Sequence, residues 1–194
     1  MKDLFVALVG VVMTIFTARY AYQIWRREIS PTLSTWITFM SGIGLSLATY
    51  MFAAKWDIRS GILNTMDFIA VAVILFAVLK WGKNEVRFKP FEKWYLVGIT
   101  FIIIFGIFTG DAWNSNILTQ VLISVGYLPT AHNLLKEKRN VESFSGWGCA
   151  LIAALLALYP AIKEGNGLAV AYTIRTIFFV GVIISLMMYY KNRQ

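Results

Sequence analysis

Two ionisable side chains lie inside apolar runs of the sequence, where their chemistry needs an explanation. Asp67 stands within NTMDFIAVAVILF, and Arg175 stands within AYTIRTIFFVG. A charged group at membrane depth costs about 2.5–3.5 kcal/mol on insertion scales, so it requires a partner, water or a bound solute. The sequence therefore leaves two interpretations open: Asp67 and Arg175 bind a polar solute together, or they form a buried ion pair that locks the protein.

Uncharged polar residues near this pair can take part in the same site. Asn64 lies one helical turn from Asp67, and Thr176 follows Arg175 directly. Asn116 and Gln120 are four residues apart, so they share one face of a helix. We predict that Asn64 and Thr176 complete a solute site and that Asn116 and Gln120 line an outer vestibule.

The elements that carry these residues are predicted to be membrane-spanning helices. A chain of 194 residues that is 58% hydrophobic and only 14% charged is too apolar for a soluble domain. Seven apolar runs approach the ~20 residues that a helix needs to cross a bilayer. The first is predicted to be a retained helix, and the fourth, starting at Lys93 and Trp94, to be the shortest. The seven runs cover roughly residues 4–25, 34–54, 60–79, 94–110, 112–135, 144–163 and 167–190.

The distribution of basic residues predicts the orientation of the chain. Twelve of them fall on one side of the seven predicted spans and four on the other. By the positive-inside rule, the N-terminus is outside and the C-terminus is cytoplasmic. The net charge of +8 then reflects topology and contact with lipid head groups rather than binding of nucleic acid. The twelve are Arg26, Arg27, Lys80, Lys83, Arg87, Lys89, Lys93, Lys136, Lys138, Arg139, Lys191 and Arg193.

A weak internal repeat predicts how the spans are grouped. Residues 16–36 align with residues 127–147 at a shift of 111, which pairs Trp36 with Trp147 across two basic turns. One helix separates the two groups of three, so the repeats enter the membrane in the same sense. The same shift, allowed to vary by two residues, places Arg175 within one helical turn of the position equivalent to Asp67.

The predicted fold class is therefore an all-α integral membrane protein with seven transmembrane helices, arranged as two parallel three-helix repeats and a linker helix. Residues 1–80 form the first repeat, residues 81–110 form a basic loop and linker helix 4, and residues 111–194 form the second repeat. Substrate sites of transporters built from such repeats usually lie at the repeat interface, near the bilayer midplane.

The segment around the second basic turn resembles the PQ-loop pattern. Pro129 is followed by the basic turn and the start of the next helix in KEKRNVESFS, residues 136–145, while Thr130 stands where the pattern has Gln. The layout is similar to that of the SWEET (MtN3-like) sugar transporters of that superfamily. The resemblance implies sugar transport by alternating access, with Pro129 as a hinge. Proline also packs simply against neighbours in membrane helices, and that alternative stays open.

Two tryptophans at the inner ends of predicted helices have two interpretations. Trp36 and Trp147 could stack on a sugar ring as a clamp, or they could anchor the helices at the interface, which the sequence favours.

The predicted function is transport of a small polar solute, as a facilitator or carrier. A ligand-sensing or sorting receptor on the same scaffold is the alternative. No enzyme activity, cofactor or metal is expected, because the spans lack a paired acid and base or a His and Cys cluster, and Cys149 is the only cysteine. The expected partners are the solute and membrane lipids, and the chain is expected to act as a monomer or homo-oligomer.

Overall fold

A computed structural model describes residues 1–29, 31, 33–82, 90–138 and 144–191, and at 34, 35, 129, 133 and 137 it describes the backbone alone. Every regular element in these residues is an α-helix. Residues 139–143, which belong to the PQ-loop-like segment, lie outside the described residues. The helices are α1 (Lys2–Trp25), α2 (Leu33–Ala53), α3 (Ile62–Trp81), α4 (Pro90–Thr109), α5 (Ala112–Val125), α6 (Leu128–Glu137), α7 (Phe144–Lys163) and α8 (Gly167–Lys191).

Six of the helices in the described parts of the chain are long and apolar enough to cross a membrane: α1, α2, α3, α4, α7 and α8. The all-helical, multi-pass membrane class predicted from the sequence is confirmed to this extent. The prediction that the fourth span is the shortest is wrong, because α4 covers 20 residues, as do α3 and α7. It starts at Pro90 rather than at Lys93, since proline is well suited to the first position of a helix.

The fifth predicted span is interrupted. Helix α5 ends at Val125 and α6 begins at Leu128, so a single helix over 112–135 is not what forms. Gly126 and Tyr127 keep right-handed dihedral angles, but the Tyr127 N–H donates to the Ser124 carbonyl at 3.2 Å, a tighter turn than the α-helix. Pro129 lies in the first turn of α6 and has no N–H to donate across the interruption.

A polar cap begins helix α5. The Asp111 carboxylate accepts a hydrogen bond from the backbone N–H of Asn114 at 2.9 Å. This hydrogen bond stabilises the charged form and lowers the pKa of the Asp111 carboxyl below its ordinary value. The cap fixes where α5 starts, and with it the position of Asn116 and Gln120 along the bundle.

The surface of the bundle is apolar. Large hydrophobic side chains on several helices are exposed, including Phe76, Ile107, Phe108 and Phe178. A soluble monomer rarely presents so much contiguous apolar surface, and lipid is the solvent that suits it. The helices are apolar on nearly all sides, as is typical of segments that face lipid on one side and other helices on the other.

The packing of the helices follows a regular pattern. Helix α3 contacts both α1 and α2, and α8 contacts α5, α6 and α7. Helix α1 also packs on α7, α2 packs on α5, and α4 packs on α2 and α5. Residues from α3 and α8 therefore meet near the centre of the bundle.

One end of the bundle is held by polar contacts between its loops, and we call it the N-terminal end. Lys2 forms an ion pair with Glu164, which follows α7. The Tyr50 hydroxyl donates to the Asp57 carbonyl at 2.8 Å and lies 2.8 Å from the Ser60 hydroxyl. The Asn166 amide donates to the Tyr50 hydroxyl at 3.0 Å. The loop between α2 and α3 is thereby joined to the loop between α7 and α8.

We expect Gly61→Ala to destabilise the protein by about 1–3 kcal/mol, because overpacking displaces a buried ring. A Cβ atom at Gly61 would lie 2.3 Å from Tyr50 Cε1 and 2.8 Å from its hydroxyl oxygen. The measurement is the thermal unfolding midpoint in detergent. Gly10→Ala is the control, since a Cβ atom there meets nothing within 4 Å. Equal midpoints for the two variants would contradict the assigned role of the Tyr50 contacts.

Candidate functional site

Asp67 and Arg175 lie on either side of Tyr172. The Tyr172 hydroxyl donates to Asp67 Oδ2 at 2.6 Å, and the Arg175 guanidinium carbon lies 4.5 Å from the centre of the Tyr172 ring. The ion pairs found in the described residues do not include Asp67 with Arg175. The interpretation of these two residues as a direct ion pair is therefore wrong: the tyrosine, which is 2% exposed, separates the two charges.

The guanidinium of Arg175 keeps most of its donors free of protein partners. Nη2 donates to Thr176 Oγ1 at 3.1 Å, and the Thr176 hydroxyl itself donates to the Tyr172 carbonyl at 2.9 Å. Nε and Nη1 are buried, and no acceptor reaches them from the part of the chain that the structure describes. Buried polar groups are nearly always hydrogen-bonded, so these two nitrogens have donor capacity available for water or a ligand.

A second polar cluster is centred on Ser46 of α2, which is fully buried. Its hydroxyl accepts hydrogen bonds from the Asn64 amide at 3.1 Å and from the Gln120 amide at 2.9 Å. Its carbonyl accepts from the Asn116 amide at 2.8 Å, and that amide also donates to Thr49 Oγ1 at 3.0 Å. Ser46 thus joins α2, α3 and α5 through three amide side chains.

Asn116 and Gln120 share a helix face, as predicted, and their side chains contact each other at 3.2 Å. They do not line an open vestibule, because they are 1% and 7% exposed and hydrogen-bond to α2. Two acceptor oxygens of this cluster, Asn64 Oδ1 and Gln120 Oε1, are buried without a donor among the described residues. The hydrogen bonds of this cluster therefore hold α2, α3 and α5 together, and two of its amide oxygens remain available as acceptors.

A narrow crevice, too small to hold a water molecule, lies between Asn64 of one polar cluster and Tyr172 of the other. Asn64 and Tyr172 both line it, together with Thr173 of α8 and with Tyr50 and Ser60 of the N-terminal end. Donors and acceptors from both halves of the chain thus face one space. The crevice is closed in this structure, so it shows where the two halves of the chain meet and does not form an open binding pocket.

The tryptophans lie elsewhere. Trp36 is 8% exposed and packs on Tyr20, with ring centroids 5.3 Å apart. A ring buried inside the bundle does not reach lipid head groups, so the anchor interpretation is wrong for Trp36. Trp147 is half-buried and lies 6.0 Å from Tyr127 between ring centroids. The structure brings neither tryptophan into contact with Asp67 or Arg175 through a described ring contact.

Sequence reasoning missed Tyr172 and Ser46. Tyr172 precedes Thr176 by four residues and so shares its helix face, a spacing that could have drawn attention to it. Ser46 carried no comparable signal, because serine is common in membrane helices and often donates to its own backbone. Its role depends on amides that follow 18 and 74 residues later in the chain.

Comparison of the chain with protein-family models, curated proteins and solved structures gives no match. Any functional conclusion consequently rests on the residues and geometry described above.

We expect Ser46→Ala to lower the free energy of unfolding by about 1–3 kcal/mol, because the buried amide of Asn64 loses its acceptor. Chemical unfolding in detergent micelles measures this change. Ser185→Ala is the matched control, since the Ser185 hydroxyl is exposed and donates only within its helix, to the Gly181 carbonyl. A loss no greater than that of the control would show that Ser46 does not organise the amide cluster.

Proposed function

We propose that the protein is a membrane transporter, a facilitator or carrier, that moves a small polar solute through a midplane site near Asp67 and Arg175. The observation that carries the proposal is the set of buried polar atoms without partners in the described residues: Arg175 Nε and Nη1, Asn64 Oδ1 and Gln120 Oε1. A bilayer offers such groups no hydrogen bonds, so a solute or water must satisfy them. A receptor that only binds its ligand does not need unpaired donors and acceptors on both repeats.

The helix contacts support two repeats of three helices and a linker. In each predicted repeat the third helix lies against the other two: α3 against α1 and α2, and α8 against α7 and the α5–α6 pair. Across the interface, α1 meets α7 and α2 meets α5. A pseudo-twofold axis along the membrane normal would exchange α1 with the α5–α6 pair and α2 with α7. This exchange turns the contact of α1 with α7 into the contact of α5 with α2. Helix α4 packs outside, as a linker would.

Two hydrogen bonds from a backbone N–H to a side-chain oxygen three residues earlier support the same repeat. The backbone N–H of Ser60 donates to Asp57 Oδ1 at 3.3 Å, and that of Ala169 donates to Asn166 Oδ1 at 3.2 Å. Both pairs are related by the shift of 109 that also superposes Tyr50 on Tyr159. The first lies in the turn that precedes α3 and the second at the start of α8, so both stand just before or at the start of the third helix of a repeat.

A seventh crossing is proposed for α5 and α6 together. Residues 112–137 are about 39 Å long at 1.5 Å per residue, enough for a hydrocarbon core of about 30 Å. With seven crossings the N-terminus lies outside and the C-terminus in the cytoplasm, in agreement with the basic residues. The interruption at Gly126 and Tyr127 is then within the span, beside Pro129.

Alternating access is proposed to proceed by loosening one end at a time. The N-terminal end is closed by the contacts of Tyr50, Ser60 and Asn166 and by the ion pair of Lys2 with Glu164. The opposite end carries the interruption between α5 and α6, where fewer helical hydrogen bonds resist bending. These features support a hinge at Pro129 and a family resemblance to SWEET-like transporters.

The seventh crossing predicts opposite membrane sides for the two ends of α5–α6. In a Cys149→Ser background, Thr109→Cys and Lys136→Cys should react with a membrane-impermeant maleimide from opposite sides of intact spheroplasts or inverted vesicles. Both positions are exposed. Labelling of both from the same side would leave six crossings and remove the 3+1+3 arrangement.

Transport itself is tested by osmotic swelling of proteoliposomes in sugars, polyols, amino acids and carboxylates. Wild type should admit at least one solute faster than protein-free liposomes. Arg175→Gln should slow that flux about tenfold, the equivalent of about 1.4 kcal/mol of solute interaction. Arg19→Gln is the control, since Arg19 is exposed on α1. No solute-selective flux by folded wild type, or equal flux in both variants, would overturn the proposal.

A further inference from the structure

The Arg175 guanidinium has two buried nitrogens and forms no ion pair with a carboxylate of the described residues. Three N–H bonds, one on Nε and two on Nη1, find no acceptor in the described residues. Asp67, the carboxylate predicted from the sequence as its counterpart, accepts a hydrogen bond from the Tyr172 hydroxyl instead. A buried cation of this kind is stabilised by a charged acceptor, because charge-assisted hydrogen bonds are the strong ones.

Tyr95 of α4 brings a second unpartnered donor into the bundle. The residue is 3% exposed, and its hydroxyl is buried without a hydrogen-bond partner in the described parts of the chain. Its ring approaches Gly126, and the next residue, Tyr127, stacks on Phe179 of α8 with ring centroids 5.3 Å apart, one helical turn from Arg175. A helix that otherwise packs outside the two repeats thus contributes a side chain directed inward.

Two glycines make room for the Tyr95 ring. A Cβ atom on Gly42 of α2 would lie 2.3 Å from the Tyr95 hydroxyl oxygen, and one on Gly126 would lie 3.5 Å from Tyr95 Cε2. Gly126 is the residue at which α5 gives way to α6. The ring therefore enters between α2 and the interruption in the fifth span, at a place where any larger residue than Gly42 would displace it.

The unpartnered groups of Arg175 and Tyr95 can both donate hydrogen bonds, and the guanidinium adds a positive charge. Arg175 offers N–H groups and Tyr95 an O–H group, while the rings of Tyr127 and Tyr172 form aromatic walls. A single guanidinium without a direct counter-ion matches a ligand with one negative charge and two planar acceptor oxygens. The aromatic walls suit a short carbon chain attached to such a group.

We infer that the transported solute is a small carboxylate, whose oxygens accept hydrogen bonds from Arg175 Nε and Nη1 and from the Tyr95 hydroxyl. This inference rests on the proposed transport function and names its substrate class. It makes Tyr95 of the linker helix a solute-binding residue. Because Tyr95 also contacts the residue at the α5–α6 interruption, binding at the carboxylate and bending of the fifth span involve the same side chain.

The test is isothermal titration of the full chain in detergent with matched pairs of solutes: acetate with acetamide, propionate with propionamide, and succinate and glucose in addition. We expect at least one carboxylate to bind about tenfold more tightly than its amide, and Tyr95→Phe to weaken that binding roughly fivefold. Gly42→Ala should weaken it as well, because it displaces the Tyr95 ring. Tyr22→Phe and Gly181→Ala are the matched controls, at an exposed tyrosine and a glycine with open space around it.

Several results would overturn the inference: no carboxylate binding by folded wild type, equal binding of acid and amide, or full binding by Tyr95→Phe. The comparison of acid with amide uses wild type alone, so it decides the matter even if Arg175→Gln does not fold. Swelling assays with the same solutes separate the two proposals. Flux of glucose without carboxylate binding overturns the carboxylate site and leaves transport standing. Carboxylate binding without any flux supports the site and overturns transport.

Discussion

A polar group inside a helical membrane bundle can be satisfied only by the protein itself or by something that the protein binds, because hydrocarbon offers no hydrogen bonds. Much of the architecture follows from this constraint. Ser46 gathers three amides from two other helices, and Tyr172 gives Asp67 the donor that a buried carboxylate needs. The constraint is left unmet within the described residues at Arg175 and Tyr95, whose buried donors are available to water or a ligand.

The N-terminal end of the bundle combines two kinds of interaction. Hydrogen bonds and an ion pair join its loops, where Tyr50 and Asn166 meet. Aromatic rings also pack there, with Phe5 against Tyr159 at 4.6 Å between centroids. Both kinds of contact join the first helices of the chain to the segment around α7.

In the proposed mechanism, helix α4 joins the interruption between α5 and α6 to the solute site. Its Tyr95 ring occupies the space left by Gly42 and Gly126, so it touches both a fixed helix and the interrupted one. Movement of α6 relative to α5 would change that space, and with it the position of the Tyr95 hydroxyl relative to Arg175. Energetic coupling between site and hinge is then a property of packing around one ring rather than of a long chain of contacts.

The amino-acid sequence by itself determined the all-helical membrane class and most helix ends, because apolar length and breaking residues act locally. It also singled out Asp67 and Arg175, since an ionisable residue in an apolar run is conspicuous from composition alone. Tertiary structure decided what these residues touch. Tyr172 separates the two charges and Ser46 organises the amides, because both outcomes depend on helices brought together from distant parts of the chain.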